Sequence, residues 1–220
     1  MLILSGIVKN IDILHEDEFS IIVNKPAGLA VQGGQGVKSS LDKILAEIRT
    51  PPPLLVHRLD KDTSGVLLAA KGREAAARFS RFLNADRKAV KQYIAVCAGR
   101  PEKNEGCINL ALQIKGSLKK SETKYRLIKS GKLALDEEAE YSVLELELGT
   151  GRMHQIRRHL AMNGTPVLGD DKYGDFALNK KLLKEIGLKR LLLHASRLVI
   201  TDGFNIDIQA PLPEYFHPFV

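Results

Sequence analysis

The sequence contains no tryptophan, only two cysteines and no long apolar run. Cys97 and Cys107 are ten positions apart and form neither a CxxC pair nor a cysteine–histidine pair at metal-ligand spacing, which argues against a disulfide scaffold or a zinc module. No segment approaches the run of about 18 apolar residues that a membrane-spanning helix requires. Residues 1–13 lack the basic start and apolar stretch of a secretory signal. We therefore expect a reduced, cytoplasmic protein without membrane contact.

The chain is instead well supplied with apolar and basic residues. Hydrophobic residues make up 44% of its 220 residues, which is enough to bury a substantial core. Lysine and arginine number 33 against 26 aspartates and glutamates, so the net charge is +7 and the sequence pI is near 9.4. This excess indicates a polyanionic partner such as a nucleic acid, although a merely soluble, positive surface fits the composition equally well.

Hydrophobic periodicity predicts a mixture of strands and helices. The pattern predicts strands at residues 20–23, 66–70, 90–96, 123–128, 141–148 and 191–200, and helices at 41–48, 73–83, 155–162 and 180–189. Ser40 is expected to cap the first helix. The alternation over residues 143–148 indicates a strand with one wet face, which is typical of an antiparallel sheet. Neither an internal repeat nor a Ser/Gly linker divides the chain.

Residues 57–65, with the sequence HRLDKDTSG, contain the densest group of chemically useful side chains. The spacing of Asp60, Asp62 and Ser64 before a glycine resembles the start of a calcium-binding loop. Position twelve of such a loop must be a bidentate glutamate, but here it is Lys71. This argues against a calcium site.

Two interpretations of this segment remain open on the residues alone. Apolar segments at 54–56 and 66–70 would hold the loop rigidly, and His57, Arg58 and Lys61 would favour the ionised form of Asp60 for nucleophilic or base chemistry. Alternatively, the segment is an ordinary surface turn, because aspartate, threonine, serine and glycine are turn-forming residues.

The segment resembles the HRLDxxTSG motif of the RluA-type pseudouridine synthases, in which the aspartate is the catalytic residue. Five further segments are similar to motifs of this family and occur in its order: NKPAG at 24–28, KQYIA at 91–95, GRMHQIR at 151–157, GTPVLGDDKYG at 164–174 and LHA at 193–195. The ordered set spans about residues 13–212, which makes an accidental match very improbable. Residues 171–176 and 187–191 look closest to the RluC-like subgroup, which acts on large-subunit ribosomal RNA. Met153 and Arg158 depart from the usual pattern.

The resemblance implies an α+β fold with a mixed, largely antiparallel sheet flanked by helices. We expect one catalytic domain over residues 1–220, without the N-terminal S4 RNA-binding domain of larger members. The implied reaction converts uridine to pseudouridine by breaking the C1′–N1 bond and rejoining the base through C5. No atom is gained or lost, so no cofactor or metal is required. The target base must leave its stack in RNA before it can react.

The resemblance also assigns roles to individual residues. Asp60 is the expected catalytic carboxylate, Tyr93 is expected to stack on the flipped base, and Arg152 is expected to pair with Asp60. Arg58 would enter the space that the base vacates. Other candidates for RNA contact are His57, Arg157, Arg158, Lys180 and Lys181. For any single lysine, a solvated helix face is the alternative. His154 and His194 are expected to be structural hydrogen-bonding residues.

The sequence is therefore compatible with several functions. The favoured one is an isomerase acting on large-subunit ribosomal RNA, with a tRNA uridine as the alternative target. The others are a catalytically silent RNA-binding module and a metal-assisted phosphoesterase built on Asp60 and Asp62. The joint presence of Asp60, Tyr93 and Arg152 favours the isomerase. We expect structured RNA as the partner and a monomeric protein.

Overall fold

A mixed ten-stranded sheet forms the centre of the computed structural model, which describes residues 11–84, 89–133, 136–201 and 203–220. The strands are β1 (Asp12–Glu16), β2 (Ser20–Lys25), β3 (Leu54–Leu55), β4 (Ser64–Ala70), β5 (Ala89–Ala98), β6 (Glu105–Ile108), β7 (Leu112–Ile114), β8 (Ser117–Lys119), β9 (Thr123–Leu133), β10 (Asp136–Leu148), β11 (Leu193–Ile200) and β12 (Ile206–Gln209). The helices are α1 (Leu41–Ile48), α2 (Arg73–Asn84), α3 (Gln155–Met162) and α4 (Phe176–Ile186).

The strand order in the large sheet is β1-β2-β4-β11-β5-β10-β9-β6. β3 pairs with β4 and β12 pairs with β11, while β7 and β8 form a separate two-stranded ribbon. Neighbouring strands run antiparallel except β4 and β11, which run parallel. The expected mixed, largely antiparallel sheet is therefore confirmed.

Helices cover both faces of the sheet because alternate residues of its central strands point to opposite sides. On one face, Leu67 and Ala69 of β4 belong to the main core, which also receives side chains from α1, α3 and α4. On the other face, Val66 and Leu68 pack against Phe79 of α2 in a second apolar cluster. None of the helices in the described ranges has the length and apolar character needed to cross a membrane.

The parallel junction between β4 and β11 consists of only two residue pairs, Ser64 with His194 and Gly65 with Ala195. Gly65 has a φ of 111°, and a Cβ atom built there would lie 2.1 Å from the Ala195 carbonyl oxygen. No other residue type tolerates this combination of backbone angle and approach. Beyond these pairs the two strands diverge. β3 pairs with the edge of β4 that is left open, and β12 pairs with the open edge of β11.

Most of the predicted elements are confirmed, with changes at their ends. α1 begins after Ser40 as expected, but the Ser40 hydroxyl bonds the Asp42 carboxylate and does not cap the helix. α4 begins at Phe176, with Asp175 as its N-cap, and ends before Gly187 in a left-handed conformation, so it lies upstream of the predicted 180–189. β9 and β10 are both longer than predicted. Short strands such as β6, β7, β8 and β12 were not predicted.

We predict that Gly65→Ala lowers the free energy of unfolding by about 3 kcal/mol or more, because the new Cβ would collide with backbone atoms of β11. Gly36→Ala is the matched control. Gly36 also has a positive φ, of 78°, but nothing lies within 4 Å of the position that a Cβ atom would take there. Its cost should be limited to the backbone strain of about 1–2 kcal/mol. Urea unfolding of both variants measures the difference, and equal losses would contradict a steric role for the junction.

Candidate active site

Asp60 lies in the loop between β3 and β4, on the sheet face that belongs to the main core. The preceding Leu59 is buried in that core, which fixes the loop, while the Asp60 side chain remains 20% exposed. Two nitrogen atoms from the segment around α3 approach its carboxylate. His154 Nε2 lies 3.7 Å from Oδ1, and Arg157 Nη1 lies 3.9 Å from Oδ2. Asp60 is therefore partly exposed, and the space bordered by its carboxylate, the Arg157 guanidinium and the His154 imidazole is called the Asp60 cleft.

Arg157 is held in this position by two aspartates of the segment after α3. Its Nε and Nη2 donate to the two carboxylate oxygens of Asp170 at 2.8 and 2.7 Å, and Nη2 also donates to Asp171 at 3.0 Å. Arg157 is 4% exposed and Asp170 is fully buried. Burial opposes the charged forms, but their mutual hydrogen bonds raise the pKa of Arg157 and lower the pKa of Asp170. Nη1 is thereby directed at Asp60.

His154 occupies the turn that leads into α3, with a left-handed φ of 52°. Its Nδ1 lies 3.2 Å from the Tyr173 hydroxyl, and the Tyr173 ring also lies 5.4 Å from the Arg157 guanidinium. Burial lowers the pKa of His154, and Arg157 lowers it further, whereas Asp60 opposes the shift. When the ring is neutral and carries its proton on Nε2, that N–H faces Asp60. Nδ1 can then accept a hydrogen bond from the Tyr173 hydroxyl. The expected structural role of His154 therefore needs extension, because its ring also borders the cleft.

Tyr93 lies on β5 and is 8% exposed. Burial, and secondarily the charge of Asp60, raises the pKa of its phenol well above the ordinary value. The phenol therefore stays protonated at physiological pH. Tyr93 pairs in register with Ala195 of β11, so the junction of β4 and β11 places its ring next to the Asp60 loop.

Lys25, whose role the sequence did not reveal, lies beneath the Asp60 loop. It is fully buried, and its Nζ donates to the carbonyl oxygens of Pro26, Leu29 and Lys61 at 2.9–3.0 Å. The Gly28 N–H donates to the same Lys61 oxygen at 2.9 Å. Burial lowers the pKa of Lys25 to about 7, although Asp62 and Asp60 act in the opposite direction. The NKPAG segment and the Asp60 loop are thus fastened together from below.

His57 is half-buried and hydrogen-bonds to the backbone of β4. Its Nε2 accepts a hydrogen bond from the Leu68 N–H at 3.0 Å, at a point on β4 that neither β3 nor β11 reaches. Burial, followed by the charge of Lys91, lowers the pKa of His57 to about 4. The ring therefore replaces a missing strand partner, which gives His57 a structural role, and its contact with RNA stays a prediction.

Two arginines also exchange the positions predicted for them. Arg152 is exposed, and its Nε donates to the Lys120 carbonyl at 3.4 Å; within the described residues no ion pair links it to Asp60. Arg157, which was expected to contact RNA phosphates, is buried and faces Asp60 instead. The decisive partner, Asp170, lies thirteen residues from Arg157 in a different motif. Ile156 and Leu160 mark the buried face of α3, but this pattern does not reveal that a flanking arginine is buried too.

The other predicted RNA-contact residues lie at the surface. Arg58, Lys180 and Lys181 are exposed, and Arg158 is half-buried, with Nη1 donating to the Gln113 carbonyl at 3.2 Å. Throughout the parts of the chain that the structure describes, no three His, Cys, Asp or Glu side chains are grouped as metal ligands.

Comparisons with known proteins identify the family of the chain. The model of the family described as RNA pseudouridylate synthase matches residues 19–162. The chain belongs to this family, and it is therefore an isomerase that converts uridine to pseudouridine.

Individual relatives cover nearly the whole chain. The ribosomal large subunit pseudouridine synthase C of Rickettsia prowazekii (strain Madrid E) is 36% identical over 93% of this chain and 69% of its own length. The protein of the same name from Escherichia coli (strain K12) is 36% identical over 92% of this chain and 66% of its own length. The solved structure of human RNA pseudouridylate synthase domain-containing protein 4 superposes with a TM-score of 0.78 at 26% identity, covering 94% of this chain and 90% of that one.

We predict that the fold loses stability as pH falls from about 6.5 toward 4. Burial lowers the pKa of His57 and of His194 to about 4, from 6.5. In this window the unfolded chain binds protons that the folded chain does not, so each histidine contributes a slope on the order of 1.4 kcal/mol per pH unit. Guanidinium unfolding at several pH values measures the slope.

His194→Asn should flatten this dependence, since asparagine keeps an acceptor for the Ser64 hydroxyl, which lies 2.9 Å from His194 Nδ1. The exposed His217 provides the control, and His217→Asn should leave the slope unchanged. An unaltered slope in His194→Asn would show that His194 is not held neutral.

Proposed function

We propose that this protein isomerises uridine in large-subunit ribosomal RNA, with Asp60 as its catalytic carboxylate. The observation that carries the proposal is that residues of one other motif, Arg157 and His154, approach the Asp60 carboxylate at 3.9 and 3.7 Å. Tyr93 of a third motif is influenced by the same negative charge. The RNA class is supported by the names of the relatives, which describe ribosomal large subunit pseudouridine synthases.

In the proposed reaction, the target uridine leaves its stack and enters the cleft beside Asp60. Flipping a base costs a few kcal/mol, which contacts in the pocket must offset. The flat Tyr93 ring is suited to stacking on the uracil, and its raised pKa keeps the hydroxyl neutral, so that the ring adds no charge next to Asp60. The exposed Arg58 occupies the same loop as Asp60 and is proposed to fill the space that the base leaves.

Arg157 is the proposed guanidinium partner of Asp60. Two of its nitrogen atoms are engaged by Asp170, so the side chain has little rotational freedom, and Nη1 keeps a fixed direction toward the reacting carboxylate. Such preorganisation means that the site does not reorganise as charge develops during glycosidic bond cleavage. His154 supports the opposite oxygen of Asp60 at 3.7 Å.

Asp60→Asn tests the carboxylate directly. The variant has nearly the same shape but lacks the negative charge, so we expect pseudouridine formation to fall by at least about 10³-fold. Tritium release from an RNA labelled at uracil C5 measures the reaction, because forming the new C5–C1′ bond expels the C5 hydrogen. Asp62→Asn is the comparison two residues away and should retain more activity. Persistent release by Asp60→Asn would remove Asp60 from the mechanism.

A pair of conservative variants separates the two candidate arginines. Arg157→Lys keeps the positive charge but loses the fork that binds Asp170, so we expect kcat to fall by roughly 10²-fold or more. The fold-decrease in kcat caused by Arg152→Lys should be at least ten times smaller than that caused by Arg157→Lys. The comparison requires kcat and KM for both variants, with a thermal melt to confirm that Arg157→Lys is folded. Equal losses in kcat, or the larger loss at Arg152, would restore the pairing first expected from the motif.

The same assay distinguishes the remaining alternatives. Release from a tRNA transcript but not from large-subunit ribosomal RNA would favour the tRNA alternative. Loss of activity on adding a chelator would favour the metal-assisted mechanism. The single-domain organisation over residues 1–220, the monomeric state and the cytoplasmic location stay predictions.

A further inference from the structure

A two-stranded ribbon, formed by β7 and β8, stands apart from the large sheet. Its strands are joined by Lys115 and Gly116, both at positive φ (48° and 80°), which is the geometry of a tight two-residue hairpin. The turn fixes the register, with Ile114 opposite Ser117. The ribbon is therefore a defined element of structure and not a loose loop.

The base of the ribbon is tied to α3, the helix that also carries Arg157. Leu112 is buried in the protein. The Ser121 hydroxyl donates to the Leu110 carbonyl at 2.6 Å and lies 3.0 Å from Nε2 of His159 on α3. Because one helix supports both features, the ribbon has a fixed position relative to the Asp60 cleft.

Five cationic side chains gather on and beside the ribbon. Lys115, Lys119 and Lys120 are exposed on it, while Arg152 and Arg158 flank it. Each arginine uses one N–H to hold a ribbon carbonyl, of Lys120 at 3.4 Å and of Gln113 at 3.2 Å. In the described ranges no ion pair joins any of the five to a carboxylate. Their charge is therefore available to an external anion.

This basic surface begins close to the site. Arg152 is two residues from His154, whose Nε2 lies 3.7 Å from the Asp60 carboxylate. A nucleotide placed at Asp60 brings its neighbouring phosphates with it, and these must lie outside the cleft. Lysine and arginine side chains contact phosphates without reading sequence, so a surface of this composition suits an RNA backbone.

We propose that the β7–β8 ribbon, with Arg152 and Arg158, binds the phosphodiester backbone of the RNA strand that flanks the target uridine. This inference rests on the proposed function, because it takes the occupant of the Asp60 cleft to be a uridine in RNA. The ribbon supplies affinity and orientation, and it takes no part in bond breaking. Its three lysines are chosen for the test because the two arginines also hold ribbon carbonyls, so that replacing an arginine would disturb the ribbon itself.

The test compares two triple variants that remove the same charge. Lys115→Gln/Lys119→Gln/Lys120→Gln alters the ribbon, and Lys103→Gln/Lys129→Gln/Lys132→Gln is the matched control at exposed positions. Lys132 lies nine residues along β9 from Thr123, which is roughly 30 Å at the usual rise per strand residue. Both variants are first checked for an unchanged melting temperature.

Binding to a large-subunit ribosomal RNA transcript labelled at uracil C5 is measured as Kd over a range of salt concentrations. We expect the ribbon variant to bind at least tenfold more weakly near physiological salt. Its slope of log affinity against log salt should be shallower by about two to three, since each phosphate contact contributes roughly 0.7–0.9. The single-turnover rate at saturating RNA should be unchanged. The control variant should shift Kd less than threefold.

Equal Kd values and salt slopes for the two triple variants would overturn the inference. A slower single-turnover rate in the ribbon variant with an unchanged Kd would overturn it as well. Failure of the proposed function has a different signature, because the native chain would then release no tritium from the transcript. The Kd comparison between the two variants would still decide whether the ribbon contacts RNA.

Discussion

The close contact between Gly65 and Ala195 is the constraint on which the rest of the structure depends. It lets β4 and β11 meet for two residue pairs and then separate. The loop that carries Asp60 enters the sheet at this point, and Tyr93 follows from the neighbouring strand. A larger residue at position 65 would move the loop relative to both strands. The glycine of the TSG segment is thus a requirement of backbone packing as much as a part of a chemical motif.

The fold was largely predictable where the signal is local. Amphipathic helices such as α1 and α2, and strands with alternating or continuous apolar residues, bury enough of their own side chains to be recognised in the sequence. The ribbon of β7 and β8 was not recognised, because its exposed residues between Leu112 and Lys119 show no clear two-residue period. Its shape depends on the Lys115–Gly116 turn and on contacts with α3. The contacts with α3 join residues 38 and 45 positions apart, which no short window of sequence contains.

The sequence predicts the reacting group of the proposed site, but it does not predict which residues surround that group. The order of the motifs predicts Asp60 and Tyr93, and in the structure the charge of Asp60 helps to raise the pKa of the Tyr93 phenol. The choice between Arg152 and Arg157 could not be made from one motif. A buried arginine is acceptable only with a buried acid, and Asp170 is contributed by another segment. The structural role of His57 was missed for a similar reason, since its partner is a backbone N–H left unpaired by strand divergence.

Lys25 holds together the segments beneath Asp60 much as a bound metal ion would. The spacing of Asp60, Asp62 and Ser64 resembles a calcium-binding loop, but here the carbonyl oxygens surround a lysine side chain. When Lys25 is protonated, its three N–H donors meet three carbonyl oxygens at 2.9–3.0 Å, as a small coordinated ion would. The Lys25 side chain is part of the protein and is therefore present in every molecule. It therefore cannot dissociate, be exchanged for a competing ion or be removed by dilution. The NKPAG segment and the Asp60 loop are thus held together without a dissolved metal ion.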